Sequence, residues 1–383
     1  MRYAEVPLAL QTSRVVSVDA LRGFSIFWII GADGATWALD RMLRDKNPVL
    51  SSIGGFLGTQ MSHAAWDGFR FYDLVFPLFI FITGVSIVLS LPRLVEREGS
   101  LRAHLRIVRR ALILYVLGLI VSGGVGQHLS DIRYMGVLQR IALCYFFASL
   151  LFLHLNKRGL ILATVLLLGG YWGLMTFVPV PDVGPGSFAP DANLANWIDA
   201  NYLPGRLWDK TRDPEGLLST LPAIGTCLLG VLAGVLLKDE RLSPTQRSLW
   251  LIGAGIAMTA AGYLWSLQFP IVKPIWTSSF ALVAGGYSAI LLGVMHQVID
   301  VWEWRAWATM FVWVGANAIL LYFINGVVGF QPFALRLVGG DVKTWLDQVV
   351  TPGAGLFASH LVGLALAVAL AGFLYRRKIF LRA

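Results

Sequence analysis

The predicted fold class is all-α: a polytopic membrane helix bundle of about ten transmembrane helices. Three observations predict it. Apolar residues make up 56% of the 383, mean hydropathy is +0.67 and only 14% of side chains are charged. A soluble chain carries about 25% charge, and this much apolar surface has no aqueous home. The apolar residues fall into runs near the roughly 20 residues that a spanning helix needs. The basic residues gather at the ends of those runs, so the net charge of +9 reads as membrane topology rather than nucleic-acid binding. Cys144 and Cys227 lie inside apolar runs, which leaves neither a disulfide framework nor zinc spacing.

The expected spans are 20–38, 71–91, 108–124, 137–155, 159–178, 218–237, 249–268, 277–298, 308–328 and 353–374. They fill the chain, so residues 1–383 read as one membrane domain with long outer loops at 39–70 and 179–217. The run from Leu21 is too long for the apolar part of a signal peptide and reads as the first helix. The 108–124 run is short, and 308–328 is expected to break near Gly315 or Gly326. Arginine and lysine in short loops set orientation. Arg2, Arg14 and Arg22, the cluster Arg93 to Arg110, and Arg376, Arg377, Lys378 and Arg382 place both termini in the cytoplasm. Trp250, Trp265, Trp276, Trp302, Trp304 and Trp307 near run ends suit an interfacial belt. No internal repeat is visible, which disfavours a transporter.

Ionisable groups inside a span are costly, so each is a functional candidate. Asp33 follows about three apolar turns of the first run. His63 ends the first outer loop, Asp73 opens the second helix and Arg140 lies one turn inside the fourth. All four fall towards the outer half and make a plausible polar pocket. Each also has a plain structural role: Asp73 at a helix N-terminus, Arg140 as partner of Asp73 or Asp33, His63 as an ordinary loop histidine. His360, within the last span, is a second histidine candidate. The arginines at 93–110 suit topology and anionic lipid, and Arg106, Arg109 and Arg110 also suit a phosphorylated ligand, because a guanidinium grips phosphate through two nitrogens. No Walker loop, HExxH or GxSxG occurs.

Longer blocks then carry a resemblance. Ser17-Val18-Asp19-Ala20-Leu21-Arg22-Gly23 opens the first helix. His63-Ala64-Ala65-Trp66-Asp67-Gly68 runs into Asp73-Leu74-Val75-Phe76-Pro77-Leu78-Phe79. Gly136-Val137-Leu138-Gln139-Arg140, Asp213-Pro214-Glu215-Gly216 and Tyr375-Arg376-Arg377-Lys378 follow in order. The chain resembles the transmembrane domain of the heparan-α-glucosaminide N-acetyltransferase family, including its bacterial relatives, from about residue 14 to 382. The resemblance implies an integral protein of a bacterial inner (plasma) membrane that takes acetyl-CoA from the cytosol. It implies transfer to the amine of a glucosamine-type sugar on the far side, without metal or nucleic acid, and possible homodimers. It makes His63 the active histidine. The family usually carries Asn where this chain has Asp33 and Asp67, which bears on acceptor identity and proton handling.

Together these readings give a set of expected roles. His63, Asp33 and Asp67 are the catalytic candidates, with either acid fixing the histidine tautomer. Trp66, Asp73, Arg140, Glu215 and Asn317 are expected to contact acceptor or oxyanion. Arg106, Arg109 and Arg110 are expected at the coenzyme phosphates, with the pantetheine arm in an apolar channel. His63 is expected as general base, with an acetyl-His63 intermediate as rival. An amino-sugar or N-acetylglucosamine permease and an envelope O-acyltransferase are the alternative functions.

Overall fold

The structure is a computed structural model that describes residues 15–44 and 46–381. Arg2, Arg14 and Arg382 of the topology reading lie outside the described residues. Within them, regular structure is helical apart from isolated β-bridges such as Asp67 to Val272.

The first span is broken. Helix α1 (Val16–Phe27) passes through a π-helical turn at Trp28–Ala32 into α2 (Asp33–Leu43). Gly31 sits there at φ 148°, a conformation open to glycine. Helix α3 (Pro48–Gln60) folds back on α2. Next come α4 (Phe71–Glu98), α5 (Ser100–Val121), α6 (Val137–His154), α7 (Lys157–Phe177) and the short α8 (Leu194–Tyr202). Then follow α9 (Thr220–Leu237), α10 (Pro244–Trp265), α11 (Ser278–Met295), α12 (Thr309–Ala316) and α13 (Ala318–Val327). The chain closes with α14 (Phe330–Val338), α15 (Asp341–Val349) and α16 (Ala354–Arg376).

Among the described residues seven helices are long and apolar enough to cross a membrane: α4, α6, α7, α9, α10, α11 with its π-helical extension to Val301, and α16. The α12–α13 pair, bent by 72°, makes an eighth if counted as one span. This corrects the expected ten. The 20–38 segment is split at Gly31 into two short helices, and the 108–124 segment lies in α5, whose first half carries Arg102, Arg106, Arg109 and Arg110 and so shortens the apolar stretch. The break expected in 308–328 falls at Asn317.

Helices α4 and α9 form the centre. Most of each is buried, whereas α7, α10 and α16 expose most of their apolar surface at the periphery. Without water between helices, packing and close approach hold such a bundle. Gly84 and Gly230 let α4 and α9 meet backbone to backbone: a Cβ at either would strike a carbonyl oxygen of the facing helix. That contact fixes α4, which carries a different polar site at each end.

Candidate active site

At the N-terminal end of α4, Asp73 is fully buried. Pro77 cannot donate to the Asp73 carbonyl one turn back, and the side chain caps the helix start. The backbone N–H groups of Ala64 and Arg70 each donate to Asp73 Oδ2 at 3.1 Å. His63 Nδ1 lies 2.8 Å from Asp73 Oδ1. An ionised carboxylate only accepts, so Nδ1 carries the proton and Nε2 keeps its lone pair. The ring stacks on Tyr72 with centroids 4.9 Å apart, and Lys273 Nζ approaches Nδ1 at 2.9 Å and Nε2 at 3.3 Å.

These groups face a cavity of about 330 Å³ whose other wall holds Arg133, Trp208, Glu215 and Tyr322. Arg133 is clamped: Nε and Nη2 donate to the two oxygens of Asp213, Nη2 also reaches Glu215, and the guanidinium lies 4.7 Å over Trp208. Those carboxylates push its pKa up against the opposing effect of burial. Burial drives Asp199, behind this wall, up to about 7.

At the other end of α4 lies a second cavity of about 660 Å³, lined by Asp19, Arg22, Arg93, Arg97, Arg106 and Arg110 among others. The helix rise of about 1.5 Å per residue puts Arg93 roughly 30 Å from Asp73. Between the two is an apolar pinch of about 10 Å³. It shares Ile29, Phe76, Val137 and Tyr322 with the His63 cavity, and Phe79 and Ile141 with the arginine cavity. One line of space therefore runs along α4, closed at its middle by apolar side chains.

The expected residues separate on this frame. His63 and Glu215 line the same cavity, with Asp73 buried behind the His63 ring. Asp73, expected at the acceptor, instead supplies the carboxylate that Asp33 or Asp67 was expected to supply. Asp33 is one layer back, accepting from the Tyr72 hydroxyl at 2.8 Å, with the His360 ring close against the neighbouring Gly34. Asp67 accepts from the Ile271 N–H at 3.0 Å and so ties its loop to the segment before α11. Trp66 donates to the Phe188 carbonyl and lies under Arg212, which pins the 39–70 and 179–217 loops together. Arg140 pairs with neither Asp73 nor Asp33: Nη2 donates to Gly216 O and Ser219 Oγ, holding the turn that presents Glu215. Asn317, expected at the oxyanion, lines the arginine cavity and bonds to Ile379 and Leu381. Arg106 and Arg110 line that cavity too, but Arg109 is exposed outside its wall.

Lys273, Arg133 and Tyr72 were missed. Lys273 had a signal: a lysine in the short link between two spans, on the side that positive-inside counting makes outer. Burial pushes its pKa down, while Asp73 and Glu215 oppose that shift.

Comparison with known proteins decides the family. The family described as "Heparan-alpha-glucosaminide N-acetyltransferase, catalytic" matches residues 14–269, about two thirds of the chain. The chain belongs to this family. The human heparan-alpha-glucosaminide N-acetyltransferase is 28% identical over 96% of this chain, and the mouse protein 27% over 87%. The chain spans 59% and 58% of those relatives' lengths. It is thus a member of a transmembrane N-acetyltransferase family, and the matched region includes His63, Asp73 and the arginine cavity up to Tyr145. Lys273 lies beyond the matched region.

Proposed function

We propose that this protein transfers acetyl from acetyl-CoA to the amine of a glucosamine-type sugar across the membrane, with His63 as general base. The line of space along α4 carries this reading. It offers a basic chamber for nucleotide phosphates, an apolar pinch that a flexible thiol arm would have to part, and a histidine at the far end. On this reading the donor enters from the face of the arginine chamber, taken as cytoplasmic from the placement of basic residues, and the acceptor from the opposite face of an inner membrane.

An amine attacks a thioester only when neutral. His63 Nε2 takes the proton as the nitrogen bonds to the acetyl carbon, and the Asp73 carboxylate stabilises the imidazolium through Nδ1–H. The C–S bond then breaks and the imidazolium returns the proton to the thiolate. Arg133, Glu215, Trp208 and Tyr322 form the wall where the sugar lies. The test is labelled acetyl transfer from acetyl-CoA by purified protein, with glucosamine and a hydroxyl-only sugar compared. The expectation is transfer to the amine alone, lowered about 10²–10⁴-fold in His63→Ala. Equal transfer by that variant would overturn the reading. Preference for the hydroxyl sugar would make the protein an O-acyltransferase.

A further inference from the structure

We infer that Lys273 is a positioning residue for His63: its ammonium, held between the ring edge and Asp73, keeps the imidazole in its neutral, proton-accepting form. The inference rests on the reading of His63 as base. The geometry is specific. Lys273 Nζ lies within 3.3 Å of both ring nitrogens and 3.4 Å from Asp73 Oδ1, with its side chain 16% exposed. It leaves an adjoining segment fixed to the His63 loop twice, by Gly68 N–H to Ile271 O and Ile271 N–H to Asp67 Oδ1. A lysine in that position is placed rather than free to swing.

The charges around His63 then balance in a definite way. From the start of α4, Asp73 favours the imidazolium, Arg70 donates to the His63 carbonyl, and Tyr72 offers a ring face. From the opposite wall, Arg133 is neutralised by Asp213 and Glu215, and Tyr322 faces the same cavity from α13. Lys273 is the cation that touches the ring. With Asp73 alone, His63 would hold its proton more tightly and less of it would serve as base at neutral pH. With Lys273 present, a proton on Nε2 sits beside an ammonium and is readily passed on to the departing thiolate.

The test reads His63 directly. Diethyl pyrocarbonate modifies neutral imidazole, and peptide mass spectrometry assigns the rate at His63 as a function of pH. In Lys273→Met the midpoint is expected to rise by about 1 pH unit, and in Lys273→Arg, which keeps the charge, to stay at the wild-type value. Should Lys273→Met fail to fold, Lys273→Gln carries the same expectation. An unchanged midpoint in the neutral variant overturns the inference and leaves Lys273 a structural ion-pair partner. The acid limb of acetyl transfer should move upward by the same amount. A shifted His63 midpoint in a protein that transfers no acetyl would sink the acetyltransferase reading while upholding the role of Lys273.

Discussion

The two ends of α4 hold charge in opposite ways. At the His63 end the charged groups around the ring are clamped: Asp73 is fully buried, Arg133 is 9% exposed and gripped by two carboxylates, and Lys273 is wedged against ring and acid. At the other end the arginines are held more loosely towards the mouth: Arg22 is tied to Asp19 and Ser86, and Arg110 lies over the Tyr145 ring, but Arg106 is 49% exposed and pairs with the partly exposed Glu98. Fixed charges stabilise a developing charge without reorganising, which suits a reacting centre. Flexible arginines adapt to a phosphate ligand, which suits binding. On this account one end is built for chemistry and the other for capture, with the apolar pinch between them.

That division ranks the expected effects. Leu138 sits in the pinch and lines neither cavity. Leu138→Trp should obstruct the thiol arm and lower transfer by about 100-fold or more, while Kd for desulfo-CoA stays within roughly threefold; the overpacking itself costs about 1–3 kcal/mol. Transfer at the wild-type rate would mean that the two chambers do not serve one ligand. Arg133→Met strands Asp213 and Glu215, and the loss of a buried partner typically costs about 3–5 kcal/mol. A clear fall in the Tm of thermal unfolding should show it, and a Tm within a degree of wild type would contradict the clamped picture. Arg106→Gln touches only the adaptable end. It should raise KM for acetyl-CoA about tenfold, the equivalent of roughly 1.4 kcal/mol, and leave kcat nearly unchanged. A fall in kcat instead would blur the division.

Much of this was legible in the sequence. Hydropathy marked the bundle, and eight of the ten expected runs reappear as spans once α12–α13 is counted as one. The other two were misjudged because a run of apolar letters shows neither the backbone turn at Gly31 nor how far the charged half of α5 eats into its length. His63 and Asp73 were singled out by cost and place. Their pairing was not, because the nine residues between them carry a loop whose return is set by contacts such as Asp67–Ile271, Gly68–Ile271 and Arg70–Asp73. Asn317 was put at the wrong end because its depth depends on a 72° bend that hydropathy does not record. Lys273 and Arg133 look like ordinary loop cations until the folded chain brings acids to them from 200 and 80 positions away.

Sealed vesicles carrying protein of one orientation put the account to its most direct trial. Acetyl-CoA is confined to the face with the arginine chamber, and glucosamine to the face with His63. The account predicts acetylated sugar on the His63 side, and none when donor and acceptor exchange faces. Product formed only when both share one face would contradict it.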